Sequence, residues 1–295
     1  MNNHELAGKM VSGYFFAILT GIFWGLQGTF GKVLGKKLSP PVLTWGMFTF
    51  TLPFMILVVA VEGVPPIVWN DFLWSTAMSF TVNIIAWNVF FYALQISDLS
   101  HNMPFTAFTP LFLIPVAFVL LGELPDEKGI AGILLIILSG YGIHLQSANL
   151  LQPFRNLVKN KGSLLVLFVA MIWSLSATAE KVAVLSSSQA FYGLTINLLL
   201  SLAYTPYIFL VKKTGFRQIT KNVYALVLLG FISGLLLIFQ FTALKYLLVS
   251  YVIAFKRAGI VVSVLLGILL YKEKNPVKNL SFTILMVLGV FLILT

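Results

Sequence analysis

Ten stretches of about twenty apolar residues each decide what this chain can fold into. They fall near residues 12–34, 41–61, 71–94, 102–121, 129–147, 163–184, 189–211, 223–244, 248–271 and 278–295. A helix rises about 1.5 Å per residue, so roughly 20 residues cross the hydrocarbon layer of a bilayer. Within that layer each backbone N–H and C=O must be satisfied inside its own segment, and a helix does this. The expected fold class is therefore all-α, a polytopic membrane protein with ten transmembrane helices. Only 9% of the residues are charged, against roughly 25% in a soluble domain. A water-soluble enzyme or nucleic-acid-binding domain is excluded on that ground. The first stretch is too long for a signal-peptide core and lacks a small-x-small cleavage site, so it is expected to stay in the mature protein. Most connections are shorter than a dozen residues. The longest, 148–162, is polar and basic, leaving no room for a folded domain outside the membrane.

The chain repeats itself. A shift of 149 lays Gly13, Trp24, Leu26 and Lys32 onto Gly162, Trp173, Leu175 and Lys181. A shift of 150 lays Phe91, Ala93, Leu94, Ser100, Phe105 and Glu123 onto Phe241, Ala243, Leu244, Ser250, Phe255 and Glu273. Two five-helix repeats follow, at 12–147 and 163–295. Five is odd, so the second repeat enters the membrane from the opposite side. Inverted repeats of this kind place a binding site between the halves near the midplane and suggest alternating access.

Nineteen Lys and Arg against nine Asp and Glu give a net charge of +10. In a soluble chain that balance would suggest nucleic acid; here it belongs to loops facing anionic lipid. Lys9, Lys128 and Lys245 lie on the side of the N-terminus. Lys36, Lys37, Arg155, Lys159, Lys161, Lys212, Lys213, Arg217, Lys221, Lys272, Lys274 and Lys278 lie on the other. The positive-inside rule then puts both termini outside the cytoplasm of a multi-pass protein of the cell (inner or plasma) membrane. With no cysteine, and with His4, His101 and His144 scattered, neither a metal nor another cofactor is expected.

Four basic residues, Lys32, Lys181, Lys256 and Arg257, remain within or near the helices, and the comparable acid is Glu180. Lys256 and Arg257 lie about ten residues into the ninth stretch, roughly 15 Å deep. On insertion scales two such charges cost roughly 5 to 7 kcal/mol. They need a wet cavity, a counter-ion or an anionic ligand. A planar guanidinium beside an ammonium suits a carboxylate or phosphate. Glu180 shares a helical face with Trp173 and Ser176, matched in the first repeat by Trp24, Gln27 and Gly31. It could couple a proton, clamp a cation, or serve as structural partner of Lys181, Lys256 or Arg257. Trp24 and Trp173 could stack on a substrate.

The fourth stretch is interrupted by Pro104, Pro110 and Pro115 and carries His101, Asn102, Thr106 and Thr109, a pattern expected of a kinked, cavity-lining helix. Asn83, Asn88 and Gln95 in the third stretch, and Asn197, Ser201 and Tyr204 in the seventh, are explained first by interhelical hydrogen bonds. Gly13, Ala17, Gly21, Gly25 and Gly28 form a small-residue face for close helix approach. No P-loop, H-E-x-x-H, G-x-S-x-G or intramembrane acid pair argues for an enzyme.

GIFWG at 21–25 with its echo MIWSL at 171–175, FYAL at 91–94 with FTAL at 241–244, and LGE at 121–123 with YKE at 271–273 resemble the drug/metabolite transporter superfamily. The resemblance is to its ten-helix branch built from two EamA repeats, and it covers nearly the whole chain. It implies a secondary transporter in which helices 1 to 4 and 6 to 9 enclose a central cavity while helices 5 and 10 support them. The segment AFKRAGIVVSV at 254–264 is similar to the ninth helix of the plastid sugar-phosphate translocators, a related branch in which an adjacent Lys and Arg bind phosphate. That role carries over only to Lys256 and Arg257. Those translocators add a lysine in the fourth helix, whereas FTAFTP at 105–110 has none, so a carboxylate is as open a cargo as a phosphate. The superfamily's usual orientation, with cytoplasmic termini, is opposite to the loop-charge expectation.

The expected function is movement of a small organic anion or zwitterion. Lys256 and Arg257 would form the anion grip, with Trp24, Gln27, Trp173, Glu180, Tyr251, His101, Asn102 and Thr106 near the substrate. The alternatives are an organic cation such as a quaternary amine held by Glu180 and aromatic faces, or a lipid-moving protein. The expected partners are a small-molecule substrate, the lipid bilayer and a coupling proton or counter-substrate, with no nucleic acid. A chain containing both repeats is expected to work as a monomer.

Overall fold

In the computed structural model, residues 3–96, 105–144, 160–211, 215–271 and 276–295 are described. Helices fall on all ten apolar stretches, and no strand is present among the described residues. The first repeat holds α1 (Asn3–Leu34), α2 (Pro40–Glu62), α3 (Trp69–Ile96), α4 (Thr109–Leu121) and α5 (Glu127–His144). The second holds α6 (Lys161–Leu185), α7 (Gln189–Pro206), a short α8 (Gly215–Lys221), α9 (Val223–Leu244), α10 (Val249–Ala258), α11 (Ile260–Tyr271) and α12 (Pro276–Leu294). Among the described residues, six segments, Met10–Gly31, Pro40–Glu62, Lys161–Leu185, Gln189–Leu210, Val223–Leu244 and Val249–Leu266, are each long and apolar enough to cross a bilayer.

Local signals place the ends. Pro40 opens α2, where a missing N–H is harmless. The Asn160 side chain caps α6 by accepting from the Gly162 and Ser163 N–H groups, and Ser188 caps α7 by accepting from Phe191. α4 stops at Gly122, which takes up the left-handed conformation (φ 68°) that a side chain would disfavour.

Packing runs mostly between the halves. α1 packs on α9, and α3 on α6; α4 packs on α6, and α10 and α11 on α1; α2 packs on α7, and α5 on α12. Exchanging the repeats leaves this set of partners unchanged, as a pseudo-twofold relation between the two halves requires. Outward faces carry large apolar side chains such as Phe15, Val61, Val119, Leu210 and Phe291, each more than half exposed. That surface suits lipid.

The small-residue face on α1 does what its spacing predicts. A Cβ on Gly21 would strike the Phe255 carbonyl, one on Gly25 the Gly259 carbonyl, and one on Gly13 the Tyr246 and Leu247 side chains. Ser263 seals the contact by donating to the Gly25 carbonyl at 2.8 Å. The ninth stretch, expected as one helix, is broken at Gly259 into α10 and α11. The Gly259 N–H is shared between the Phe255 and Lys256 carbonyls, and its Cα lies against the Gly21 backbone, where no side chain fits. The seventh stretch likewise changes character after Pro206, continuing as a π-helical turn, Tyr207–Val211. Pro206 has no N–H with which to continue the helical ladder.

Candidate functional site at the interface of the repeats

The break at Gly259 comes two residues after Arg257, so Lys256 and Arg257 sit in the last turn of a half-helix pressed between repeats. Arg257 is buried, 9% exposed. Its Nη2 donates to Thr109 Oγ1 on α4 at 3.0 Å, and its guanidinium lies 5.3 Å from the Trp24 ring and 5.9 Å from the Trp173 ring. Its Nε–H is buried with no partner among the described residues. Lys256 Nζ stands 4.6 Å over the Trp24 ring and donates to Gln240 Oε1 on α9 at 2.7 Å. The two tryptophans that the repeat aligns thus meet at one cation.

Glu180 belongs to the same cluster. Ser176 donates to one carboxylate oxygen and Gln240 to the other, each at 3.1 Å. Gln240 therefore bridges Glu180 and Lys256, accepting from the lysine and donating to the glutamate. Behind it, Asn83 of α3 donates to Ser176 Oγ at 2.7 Å, and Tyr192 of α7 donates to Ser79 Oγ at 2.9 Å. Two cations and one carboxylate leave the cluster with a formal charge of +1. Trp24, Trp173, Glu180 and Lys256 are half-buried. The aromatic lining extends through Trp87, whose ring lies 5.5 Å from Trp173.

Of the residues expected near a substrate, the structure brings together Lys256, Arg257, Trp24, Trp173 and Glu180. Thr106 is half-buried one turn before Thr109, and its carbonyl accepts from Thr109 Oγ1 at 2.9 Å, so it supports the hydroxyl that holds Arg257. Gln27 turns aside: its amide donates to Ser233 on α9 at 2.6 Å and contacts Met47 Sδ on α2 at 3.3 Å. Tyr251 lies five residues, about one and a half turns, before Lys256, and its hydroxyl donates to Asp126 Oδ1 at 2.9 Å in the turn between α4 and α5. The Gly129 N–H and the Tyr251 hydroxyl hold the Asp126 carboxyl below the usual aspartate range. His101 and Asn102 lie outside the described residues.

Lys181 corrects the expectation that Glu180 serves it. It turns instead to Glu123, the acid at the end of α4, and donates to the Leu247 carbonyl at 2.6 Å; the other Glu123 oxygen accepts from the Val249 N–H at 2.8 Å. Sequence reasoning treated Glu123 only as a helix-ending marker and missed Gln240 altogether. Asn83 was assigned to packing, yet it stands one hydroxyl from Glu180. The usable signal was the repeat, which aligns both members of the Lys181–Glu123 pair with a second Lys and Glu.

No curated protein matches this chain. A solved crystal structure of a protein superposes on 97% of this chain and 96% of its own with a TM-score of 0.72, at 17% identity. At that identity the likeness shows the fold alone. The family description "EamA-like transporter family" matches twice, over residues 11–145 and 160–295, so the two halves recognised in the sequence each correspond to one unit of that family. With an all-helical, two-repeat membrane architecture and both repeats matched, the chain belongs to the EamA-like transporter family of multi-pass membrane transporters, within the drug/metabolite transporter superfamily.

Proposed function

We propose that this protein is a secondary transporter that carries a small organic anion or zwitterion by alternating access, with Arg257 and Lys256 as its anion grip. The observation that carries the reading is the convergence of both cations, Trp24, Trp173 and Glu180 at the interface of the repeats. Arg257 has five N–H groups and spends one on Thr109, so its fork keeps donors for a carboxylate or phosphate. The tryptophan faces hold the guanidinium in one orientation and offer apolar surface to the rest of the cargo. A formal +1 favours a cargo group of one negative charge. The Glu180 carboxylate, separated from Lys256 by the Gln240 amide, can receive the ammonium of a zwitterion.

An organic cation is less well supported. The cluster is net positive, and Lys256 and Arg257 repel a cargo that brings no anionic group to them. The loop charges support a multi-pass orientation in the cell membrane with both termini outside the cytoplasm.

A thermal-shift screen of the purified protein against carboxylates, amino acids, sugar phosphates and quaternary amines tests the class of cargo. A ligand that prefers the folded state raises its midpoint. Stabilisation by an anion or zwitterion, lost in Arg257→Gln, is the expected result. Stabilisation by quaternary amines alone, retained in Arg257→Gln and lost in Glu180→Gln, would overturn the reading.

A further inference from the structure

On the outer side of the repeats, α3 and α7 part to leave a groove of about 330 Å³, lined by Phe80, Ile84 and Asn88 on one wall and Ala203, Tyr204 and Tyr207 on the other. It is separate from the cation cluster. On α3 the groove residues Ile84 and Asn88 point roughly 100 to 140° around the helix from Asn83, the residue that faces Glu180. Its rim is open: Ile85, Asn88 and Tyr207 are exposed on the surface that faces hydrocarbon.

Two polar groups make this more than an apolar crevice. The Tyr204 hydroxyl is buried, its residue 5% exposed, and has no hydrogen-bond partner among the described residues. A buried hydroxyl without an acceptor is costly, and Tyr204 lines the groove, so an acceptor supplied from there would satisfy it. Asn88 uses one N–H on the Ile84 carbonyl at 2.7 Å, which leaves the amide a second donor on a lipid-facing rim.

The end of the same wall is basic. Tyr207–Val211 continues α7, and α8 packs on it, with the Phe216 ring 6.4 Å from that of Phe209. α8 buries Ile219 and exposes Phe216, Arg217 and Lys221, the pattern of a short helix lying in the interface. From Tyr204 to Val211 is about 10 Å along the helix, close to the separation between the ester level and the phosphate level of a phospholipid with an extended basic side chain reaching down to it.

We propose that this groove is a binding site for an anionic phospholipid. One acyl chain lies between α3 and α7, an ester carbonyl accepts from the Tyr204 hydroxyl, and the phosphate sits beside Arg217 and Lys221. The site holds a lipid at the seam where α3 of one repeat meets α7 of the other.

The test uses the full-length protein in liposomes containing phosphatidylglycerol or phosphatidylcholine that carries a photoreactive group on one acyl chain. After illumination, cross-linked peptides are mapped. The expected labels fall on residues 80–88 and 203–207 and are stronger with phosphatidylglycerol. Arg217→Gln and Lys221→Gln should each weaken the phosphatidylglycerol label about fivefold, the effect of one surface charge. Tyr204→Phe, which keeps the ring and the fold, should weaken it severalfold, and Ala203→Phe, which fills the groove, should abolish it. Equal labelling by both lipids, labels scattered around the outer surface, or labelling indifferent to Tyr204→Phe would each overturn the proposal.

Discussion

Arg257→Gln is the perturbation whose outcome the geometry specifies best. The guanidinium is held by Thr109 at 3.0 Å and by two tryptophan rings within 6 Å, so its position does not depend on cargo. A carboxylate docking on its free edge gains two hydrogen bonds to a charged donor, worth about 1.5 kcal/mol each at the low end. Losing both removes about 3 kcal/mol, or roughly 150-fold in Kd at one decade per 1.4 kcal/mol. Glutamine can restore the bond to Thr109 but not the charge. Arg257→Lys keeps the charge while losing the fork and much of the ring contact, about 1 to 2 kcal/mol, so it should weaken binding roughly tenfold. Uptake or exchange of the best stabilising anion into proteoliposomes, run over a concentration series, reads both variants. Thermal unfolding of each, without ligand, separates loss of binding from loss of fold. If folded Arg257→Gln transports that anion with a half-saturation within threefold of the parent chain, the grip assigned to Arg257 is wrong.

Other outcomes follow from the same contacts. Glu123→Gln leaves Lys181 buried without its counter-charge and should destabilise the protein by about 3 to 5 kcal/mol, seen as a large fall in thermal midpoint that Lys181→Met in the same chain partly reverses. Gly259→Ala drives a Cβ into the Gly21 backbone and should cost about 3 kcal/mol or more, whereas Gly31→Ala, with open space around it, should be tolerated. Asp126, held below the usual aspartate range by Gly129 and Tyr251, contributes stability above that range and loses it as pH falls through its lowered value; Tyr251→Phe should move the acid limb of the stability profile to higher pH. The chain has no cysteine, so Asn2→Cys and Arg217→Cys, labelled with a membrane-impermeant maleimide on intact cells, test orientation. Labelling at position 2 and not at 217 is expected; the reverse would refute the loop-charge argument.

How much of this was legible in the sequence depended on the kind of signal. Apolar length fixes helices because hydrocarbon allows little else, and the repeat fixes which helix corresponds to which. The tryptophans at 24 and 173 could be paired before any coordinates because the repeat superposes them, and the depth of Lys256 and Arg257 could be read by counting residues. Partner choice was not legible. Lys181 sits beside Glu180 in sequence yet points away from it, because neighbours on a helix differ by about 100°. It meets Glu123, which lies just past the end of α4 in the other repeat. Gln240 carries no charge and looked like one more amide in an apolar helix, so nothing local marked it as the bridge between Lys256 and Glu180. Tyr251, expected near the substrate, lies on the same helix as Lys256 but gives its hydroxyl to Asp126, a partner that its own sequence surroundings do not mark. The break at Gly259 has no local mark either. Glycine in an apolar stretch is common, and only the approach of Gly21 makes this one a discontinuity.

Everything assigned to the cluster requires that the two adjacent cations face an aqueous space and not sealed packing. Lys256→Cys places a thiol at that point in a chain that otherwise has none, and a thiol reacts only where water lets it ionise. The prediction is that a small, membrane-impermeant reagent modifies this thiol in the folded protein from one side of the membrane, and that a negatively charged reagent does so faster than a positively charged one because Arg257 remains beside it. A thiol that reacts from neither side until the protein is denatured would contradict the account.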